Sequence, residues 1–137
     1  MKNRVAGLLV AAVVGLISVG VSGCAAKTET IGFTQSEVTV TQGEELVIDF
    51  GEVNHSVGSE WVVVAQPDPA VLGPADAQSE YLGEKGSVGG PSHLTYHFAA
   101  VGSGMTKIQF EYQFRGAVPD DPAEQKTSTI AVTVEAP

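Results

Sequence analysis

The residues best suited to chemistry in this chain are a neighbouring histidine and serine and one glycine-rich stretch. His55 and Ser56 are adjacent, and sequence neighbours rarely form a base–nucleophile pair. The chain has no Gly-x-Ser-x-Gly nucleophile elbow. The glycine-rich stretch 86–90 lacks the lysine and the following helix of a phosphate-binding loop. We therefore predict that the protein is not an enzyme.

Metal binding would have to use the histidines, which stand at positions 55, 93 and 97. If His93 and His97 share a strand, they lie about 13 Å apart along it, too far to share one ion. A lone histidine in such a chain usually has a surface or structural role. We predict neither a metal site nor a cofactor.

The single cysteine, Cys24, closes a segment with the shape of a bacterial lipoprotein signal. A short basic start, 1–4, precedes the stretch 5–21, which is apolar apart from Ser18. Residues 21–24, VSGC, then give a branched apolar residue, two small residues and a cysteine. This is the lipobox pattern, in which the signal is cut before the cysteine and the cysteine carries lipid such as palmitate. The alternative is a plain transmembrane anchor, although 17 residues are marginal for a span of roughly 20.

These features predict three regions: a signal peptide at 1–23, a lipidated Cys24 with a tether at 24–36, and a folded domain at 37–137. We expect the tether to be unstructured over 25–29. The domain would lie on the extracytoplasmic face of a bacterial cell membrane, held by lipid on Cys24. It would contain no disulfide, because Cys24 is the only cysteine.

The charge of the chain argues against nucleic acid as a partner. All 16 acidic residues lie in 24–137 together with five of the seven basic residues, which gives this part a net charge of −11. Such a charge disfavours binding to nucleic acid and direct adhesion to anionic lipid. The acids are dispersed rather than grouped, which also fits simple solubility.

After residue 36 the chain consists mainly of short stretches typical of strands. Residues 94–98 and 130–134, for example, place apolar side chains at every second position. Turn-forming residues separate these stretches. The predicted strands are 37–42, 44–52, 60–66, 79–84, 92–100, 104–114 and 127–135. Seven strands at this spacing predict an all-β fold, an immunoglobulin-like antiparallel β-sandwich.

Three connections should meet at one end of this sandwich if consecutive strands run from end to end. They are the first loop (53–59), the second loop (85–91) and the third loop (115–126). Loops clustered on a rigid sandwich are a common way to present a binding surface. Trp61, just after the first loop, is predicted to be a core residue.

The three loops together resemble those of chagasin-type cysteine peptidase inhibitors. Residues 54–61, NHSVGSEW, keep the Asn, Gly and Trp of the family motif Asn-Pro-Thr-Thr-Gly-x-x-Trp. Residues 87–90, SVGG, are similar to the family's Gly-x-Gly-Gly, with Ser in place of the first Gly. The third motif, Arg-Pro-Trp, is represented by Arg115 alone after an aromatic strand. The resemblance covers roughly 37–135.

The resemblance implies non-covalent inhibition of papain-like cysteine peptidases, with all three loops in the active-site cleft. The first loop would lie nearest the catalytic residues of the peptidase, and the glycines of the second loop would let backbone approach the cleft wall. Just before the third loop, Phe114 would offer an aromatic face where the family has Trp. The implied inhibitory residues are Asn54, His55, Ser56, Val57, Gly58, Val88, Gly89, Gly90, Phe114 and Arg115.

Each of these features also has a plain structural explanation. The spacing of Asn54 and Gly58 suits an ordinary turn, because both residue types tolerate positive φ. Arg115 would equally suit a solvated strand end. The missing Pro and Trp and the acidic third loop leave a second function open. The chain could be a non-inhibitory immunoglobulin-like lipoprotein that binds another envelope or extracellular protein.

Overall fold

Strands account for most of the fold in the computed structural model, which describes residues 26–137. The strands are β1 Thr28–Gly32, β2 Glu37–Thr41, β3 Glu45–Val53, β4 Ser59–Ala65, β5 Asp76–Tyr81, β6 Ser92–Ala99, β7 Gly104–Phe114 and β8 Thr127–Glu135. They form two four-stranded sheets, in the orders β1-β3-β6-β5 and β2-β8-β7-β4. The predicted all-β, immunoglobulin-like sandwich is confirmed.

The two-residue period of the sequence becomes the core between the sheets. On β6, Leu94, Tyr96 and Phe98 are buried, while the residues between them are more exposed. Aromatic rings fill the middle of the core, where the ring centroids of Phe50 and Phe110 lie 4.8 Å apart. Trp61 is only 5% exposed, as predicted for a core residue. Burial of this apolar area is the main favourable contribution to folding.

A hydrogen bond joins the two sheets close to Trp61. The Tyr96 hydroxyl on β6 donates to the carbonyl oxygen of Trp61 on β4 at 2.7 Å. Burial raises the pKa of Tyr96, and the nearby charge of Glu60 raises it further. The phenol therefore stays protonated and keeps donating at neutral pH, which fixes the start of β4 against the other sheet.

The first strand corrects the predicted domain start. Residues 28 and 29, expected to be unstructured, belong to β1, which pairs in parallel with β3. Ile31, inside the predicted tether of 24–36, is 5% exposed and lies opposite Ile48. Burial of this side chain explains why the strand forms. The sequence did not predict it because β1 has too few alternating apolar and polar residues. The sandwich therefore has eight strands rather than seven, and its pairings β1–β3 and β2–β8 are parallel.

The fifth strand begins three residues earlier than predicted, at Asp76 instead of residue 79. All six of its residues are exposed and it lies at a sheet edge. It also ends three residues earlier, at Tyr81 instead of residue 84. A strand that buries nothing carries no alternation of apolar and polar residues, so its bounds could not be read from the sequence.

The three loops leave from the same end of the sandwich, as predicted, and we call this end the loop pole. Val53, the first residue of the first loop, pairs with Ser92, just after the second loop. Ser59, at the end of the first loop, pairs with Phe114, just before the third. The other end is the opposite pole, where Thr28 pairs with Glu45. The nine residues of β3 place the two poles about 30 Å apart.

Candidate functional site

The tip of the first loop is a single 3-10 turn, His55–Val57, held by the residues on either side of it. Asn54 caps the turn, because its side-chain oxygen accepts the Ser56 N–H at 3.0 Å. Gly58 ends it with φ of 100°, a left-handed conformation that favours glycine. Asn54 has φ of −103°, so its role here is capping rather than tolerance of positive φ. None of the three turn residues is buried, and they project from the sandwich.

Gly58 connects the first loop to the third. Its carbonyl oxygen accepts the Arg115 N–H at 2.7 Å. A Cβ on Gly58 would lie 2.6 Å from Arg115 Cγ and 3.1 Å from Arg115 N. The glycine is therefore needed both for its backbone angle and for the close approach of the third loop.

Arg115 lies in a tight turn directly after β7 and is exposed to solvent. It has φ of 53°, and the Phe114 N–H donates across the turn to Ala117 O at 2.8 Å. Its guanidinium carbon lies 5.1 Å from the centroid of the Phe114 ring, within range of a cation–π contact. The Phe114 ring is 40% exposed, so Phe114 and Arg115 form one exposed aromatic and cationic surface.

The second loop touches the first through a side chain. Asn54 Nδ2 donates to Gly89 O at 3.3 Å, so one asparagine both caps the first loop and contacts the second. Gly89 has φ of 86° and requires glycine for that reason, whereas Gly90 does not have positive φ. Val88, between Ser87 and Gly89, is 95% exposed. The first loop is therefore bonded directly to both the second and the third loop.

The third loop encloses a small cleft against the end of β7. The cleft has a volume of about 320 Å³ and is lined by Tyr112, Phe114, Pro119, Ala123, Glu124 and Lys126. The Lys126 ammonium lies 5.1 Å from the Tyr112 ring centroid. Within the loop, Gln125 Nε2 donates to Pro119 O at 2.9 Å. The third loop is thus held by a hydrogen bond of its own. Its surface is a cleft, whereas the family motif would present a single projecting Trp ring.

Exposed apolar side chains concentrate at the loop pole. Of the nine large apolar side chains that are exposed in residues 26–137, six belong to this pole: Val57, Tyr81, Leu82, Val88, Phe114 and Val118. Exposed apolar residues gathered at one place are typical of a protein-binding surface. Sequence reasoning found Val57, Val88 and Phe114 but missed Tyr81, Leu82 and Val118, since none of these three belongs to a recognisable motif.

His93 and His97 each contact a different carboxylate. His93 Nε2 lies 2.7 Å from Asp49 Oδ1, and His97 Nδ1 lies 2.8 Å from Glu45 Oε1. No group of three or more potential metal-binding side chains occurs in the described part of the chain. His55 and Ser56 follow each other in the exposed turn of the first loop.

The predicted signal peptide and Cys24 lie outside the described residues. Over residues 26–137, the structure contains no helix that is long and apolar enough to cross a membrane. The first described strand starts at Thr28, at the opposite pole. Any attachment through Cys24 would therefore enter the domain at the end farthest from the three loops.

A comparison with family models gives one match over most of the chain. The model described as chagasin family peptidase inhibitor I42 matches residues 39–134. The matched range begins in β2 and ends in β8, and it includes all three loops. No curated protein sequence matches the chain.

Three solved structures have the same fold at low sequence identity. The solution structure of Amebosin has a TM-score of 0.61 and 19% identity, covering 80% of this chain and 98% of that one. The cysteine protease inhibitor EhICP2 from Entamoeba histolytica has a TM-score of 0.57 and 16% identity, covering 82% and 100%. PbICP-C, solved in complex with falcipain-2, has a TM-score of 0.53 and 18% identity, covering 80% and 100%. At these identities the likeness concerns the fold.

Proposed function

Because the chain belongs to the chagasin family of peptidase inhibitors, we propose that it inhibits papain-like cysteine peptidases by placing the loop pole in their active-site cleft. Members of this family are inhibitors rather than enzymes. The observation that carries the proposal is the direct bonding of the three loops, through Asn54 to Gly89 and through Gly58 to Arg115. The inhibition is steric and forms no covalent bond.

Pre-organisation is the physical basis of this proposal. A flexible loop loses conformational entropy when a partner fixes it, and this loss weakens binding. Here the first loop is capped by Asn54, and Gly58 fixes its distance from Arg115. The contacts of Asn54 and Gly58 hold both ends of the tip 55–57 in place before any peptidase binds, and the tip would reach closest to the catalytic cysteine and histidine of the enzyme.

The third loop supplies apolar surface in a form that differs from the family motif. The chain lacks the Pro and Trp of Arg-Pro-Trp, but Phe114 and Val118 are each 40% exposed. Arg115, stacked on Phe114, offers hydrogen-bond donors at the same place. We infer that Phe114 and Arg115 contact the far side of the peptidase cleft. The complex of PbICP-C with falcipain-2 supports a peptidase as the kind of partner.

We also propose that lipid on Cys24 anchors the domain to the extracytoplasmic face of a bacterial cell membrane. The support is the lipobox VSGC at 21–24 and the position of β1. The four residues from Cys24 to Thr28 span at most about 14 Å. With this short connection at the opposite pole, the loop pole faces away from the membrane toward soluble peptidases.

The test of inhibition is a titration of papain with soluble 25–137, beside a variant whose tip 54–58 is replaced by a neutral turn. We expect inhibition by the first protein, recovery of activity on dilution, and at least tenfold weaker inhibition by the variant. Thermal melting of both proteins shows that each is folded. A folded protein that leaves papain and a cathepsin L-type enzyme fully active would rule the proposal out.

Anchoring is tested separately by labelling cells with a palmitate analogue. The full chain should carry the label and sediment with membranes, whereas Cys24→Ser should carry no label. Label on the Cys24→Ser chain would contradict the assignment of the lipid to Cys24.

One observation favours a second candidate function. The third loop combines its cleft with the acidic residues Asp120, Asp121 and Glu124, and it lacks the family's Pro and Trp. The same pole could therefore bind another envelope or extracellular protein without inhibiting a peptidase. Recovery of such a partner by the wild type, and not by a variant with an altered third loop, would favour this candidate if papain stays active.

A further inference from the structure

A tyrosine outside the loop motifs organises the second loop. The Tyr81 hydroxyl, at the end of β5, lies 3.0 Å from Ser87 Oγ and accepts the Gly90 N–H at 3.3 Å. Ser87 Oγ donates its proton to Glu84 O at 2.6 Å. Ser87 must therefore accept from Tyr81, because a serine hydroxyl has a single proton. Tyr81 thus bonds to both sides of the loop tip.

Two glycines, Gly90 in the second loop and Gly83 just before it, lie against the Tyr81 side chain. A Cβ on Gly90 would lie 2.9 Å from the Tyr81 hydroxyl oxygen, and a Cβ on Gly83 would overlap the same side chain. Ser87 stands where the resemblance would place a glycine, and its side chain has a role of its own. Its hydroxyl closes the bonded chain from Tyr81 to Glu84. The departure from the family pattern therefore has a structural role in this protein.

Val88 projects from the tip of the second loop, between residues that are held by hydrogen bonds. The Leu82 N–H donates to Pro91 O at 2.9 Å and closes the base of the loop. On the side of the first loop, Gly89 O accepts from Asn54. Val88 lies between these fixed points with 95% of its surface exposed. Its branched side chain has few rotamers, so little side-chain entropy remains to be lost on binding.

We propose that Tyr81 and Ser87 are positioning residues that hold Val88 out as a specificity-determining apolar anchor. Val88 enters a shallow apolar depression beside the active-site cleft of the papain-like peptidase. The second loop then contributes a side chain to recognition as well as glycine backbone. This inference depends on the proposed inhibition, and peptidases with a polar surface at that place would be bound more weakly.

The test uses soluble 25–137, because every residue of the hydrophobic core lies within 31–134. Val88→Ala should raise the inhibition constant for papain about tenfold, mainly through faster dissociation. Val101→Ala is the matched control, since Val101 is 47% exposed and lies at the opposite pole. It should leave the inhibition constant unchanged. Neither variant should change the melting temperature appreciably.

Tyr81→Phe removes the hydroxyl and keeps the ring. We expect inhibition about threefold weaker, little change in melting temperature, and faster hydrogen exchange of the Gly90 amide in the absence of peptidase. If Tyr81 acts through Val88, the effect of Tyr81→Phe should shrink in the Val88→Ala background. If Tyr81 had a purely structural role, Tyr81→Phe would raise the inhibition constant by the same factor in the wild type and in Val88→Ala.

The outcomes separate this inference from the function on which it depends. If the wild type does not inhibit papain, the proposed function fails and the inference fails with it. If the wild type inhibits but Val88→Ala is equally potent, only the apolar anchor is wrong. If Gly90 exchange or the ratio of constants is unaffected by Tyr81→Phe, the positioning role of Tyr81 is wrong.

Discussion

The connecting segments at the two poles of the sandwich have similar turn-forming residues, but their apolar side chains have different roles. At the opposite pole, the proline-containing segment 67–74 folds back into the core, where Leu72 is fully buried and bridges to Ala100. At the loop pole, Val57 and Val88 stand in solvent on loops that are bonded to one another. Apolar side chains thus stabilise the domain at one pole and remain available for a partner at the other.

Two glycines show the same contrast. Gly43 at the opposite pole has φ of 94° and Gly58 at the loop pole has φ of 100°. A Cβ on Gly43 would meet nothing within 4 Å, whereas one on Gly58 would overlap Arg115. The backbone requirement is shared, but only Gly58 sets the distance between two loops.

The largest expected effect tests the stabilising role of the opposite pole. Leu72→Ala removes a side chain that is 0% exposed, and it should lower the free energy of unfolding by about 2–5 kcal/mol. The inhibition constant, corrected for the folded fraction, should not change, because the loop pole is about 30 Å away. Urea unfolding and papain titration measure the two quantities.

Val101→Ala is the control for this change, since it removes an exposed side chain from the same pole. Its stability should stay within about 0.5 kcal/mol of wild type. A loss of inhibition in the folded fraction of Leu72→Ala would show that the poles are coupled.

A smaller loss of stability is expected from substitution of Gly58 and Gly43, but here one of the two variants should also lose inhibition. Gly58→Ala should cost about 1–3 kcal/mol of stability and also weaken inhibition at least tenfold, because Arg115 and the third loop must shift. Gly43→Ala should cost about 1 kcal/mol from backbone strain alone and leave inhibition intact. Denaturation and papain titration of both variants make the comparison. Equal inhibition by the two variants would mean that the Gly58–Arg115 distance does not matter for binding.

The sequence was sufficient to predict those strands that bury one face in the core and expose the other. The alternation at 104–114 and 127–135 predicted β7 and β8 with their observed bounds, because β8 buries every second residue from Ser128 to Val134 and β7 buries Ile108 and Phe110. β1 was missed because only Ile31 of its five residues is buried. Leu72 was missed as a core residue because it comes from a segment with turn composition rather than from a strand.

For the candidate site, sequence reasoning found the loop residues but not what joins them. The contacts of Asn54 with Gly89 and of Gly58 with Arg115 connect residues that are 35 and 57 positions apart, and no local pattern encodes such contacts. Arg115 is exposed at the end of β7, as a solvated strand end would be, and it also packs on Gly58, which the sequence does not reveal. Tyr81 gave no signal, because its role depends on a loop that returns to it nine residues later.

The smallest expected effect concerns charge at the opposite pole. The Thr41 N–H donates to the Glu44 carboxylate at 2.9 Å and lowers the pKa of Glu44 below its ordinary value of 4.5, with Lys27 adding to the shift. A carboxyl whose pKa is lowered by folding stabilises the protein above its unfolded pKa, and this contribution is lost as the pH falls through the folded value. Glu44→Gln should therefore melt slightly below wild type at pH 7, while the two melting curves converge toward about pH 2. Inhibition at pH 7 should be identical, because Glu44 lies at the pole away from the loops. A difference in melting temperature that stayed constant from pH 7 to pH 2 would mean that the glutamate acts through its shape instead of its charge.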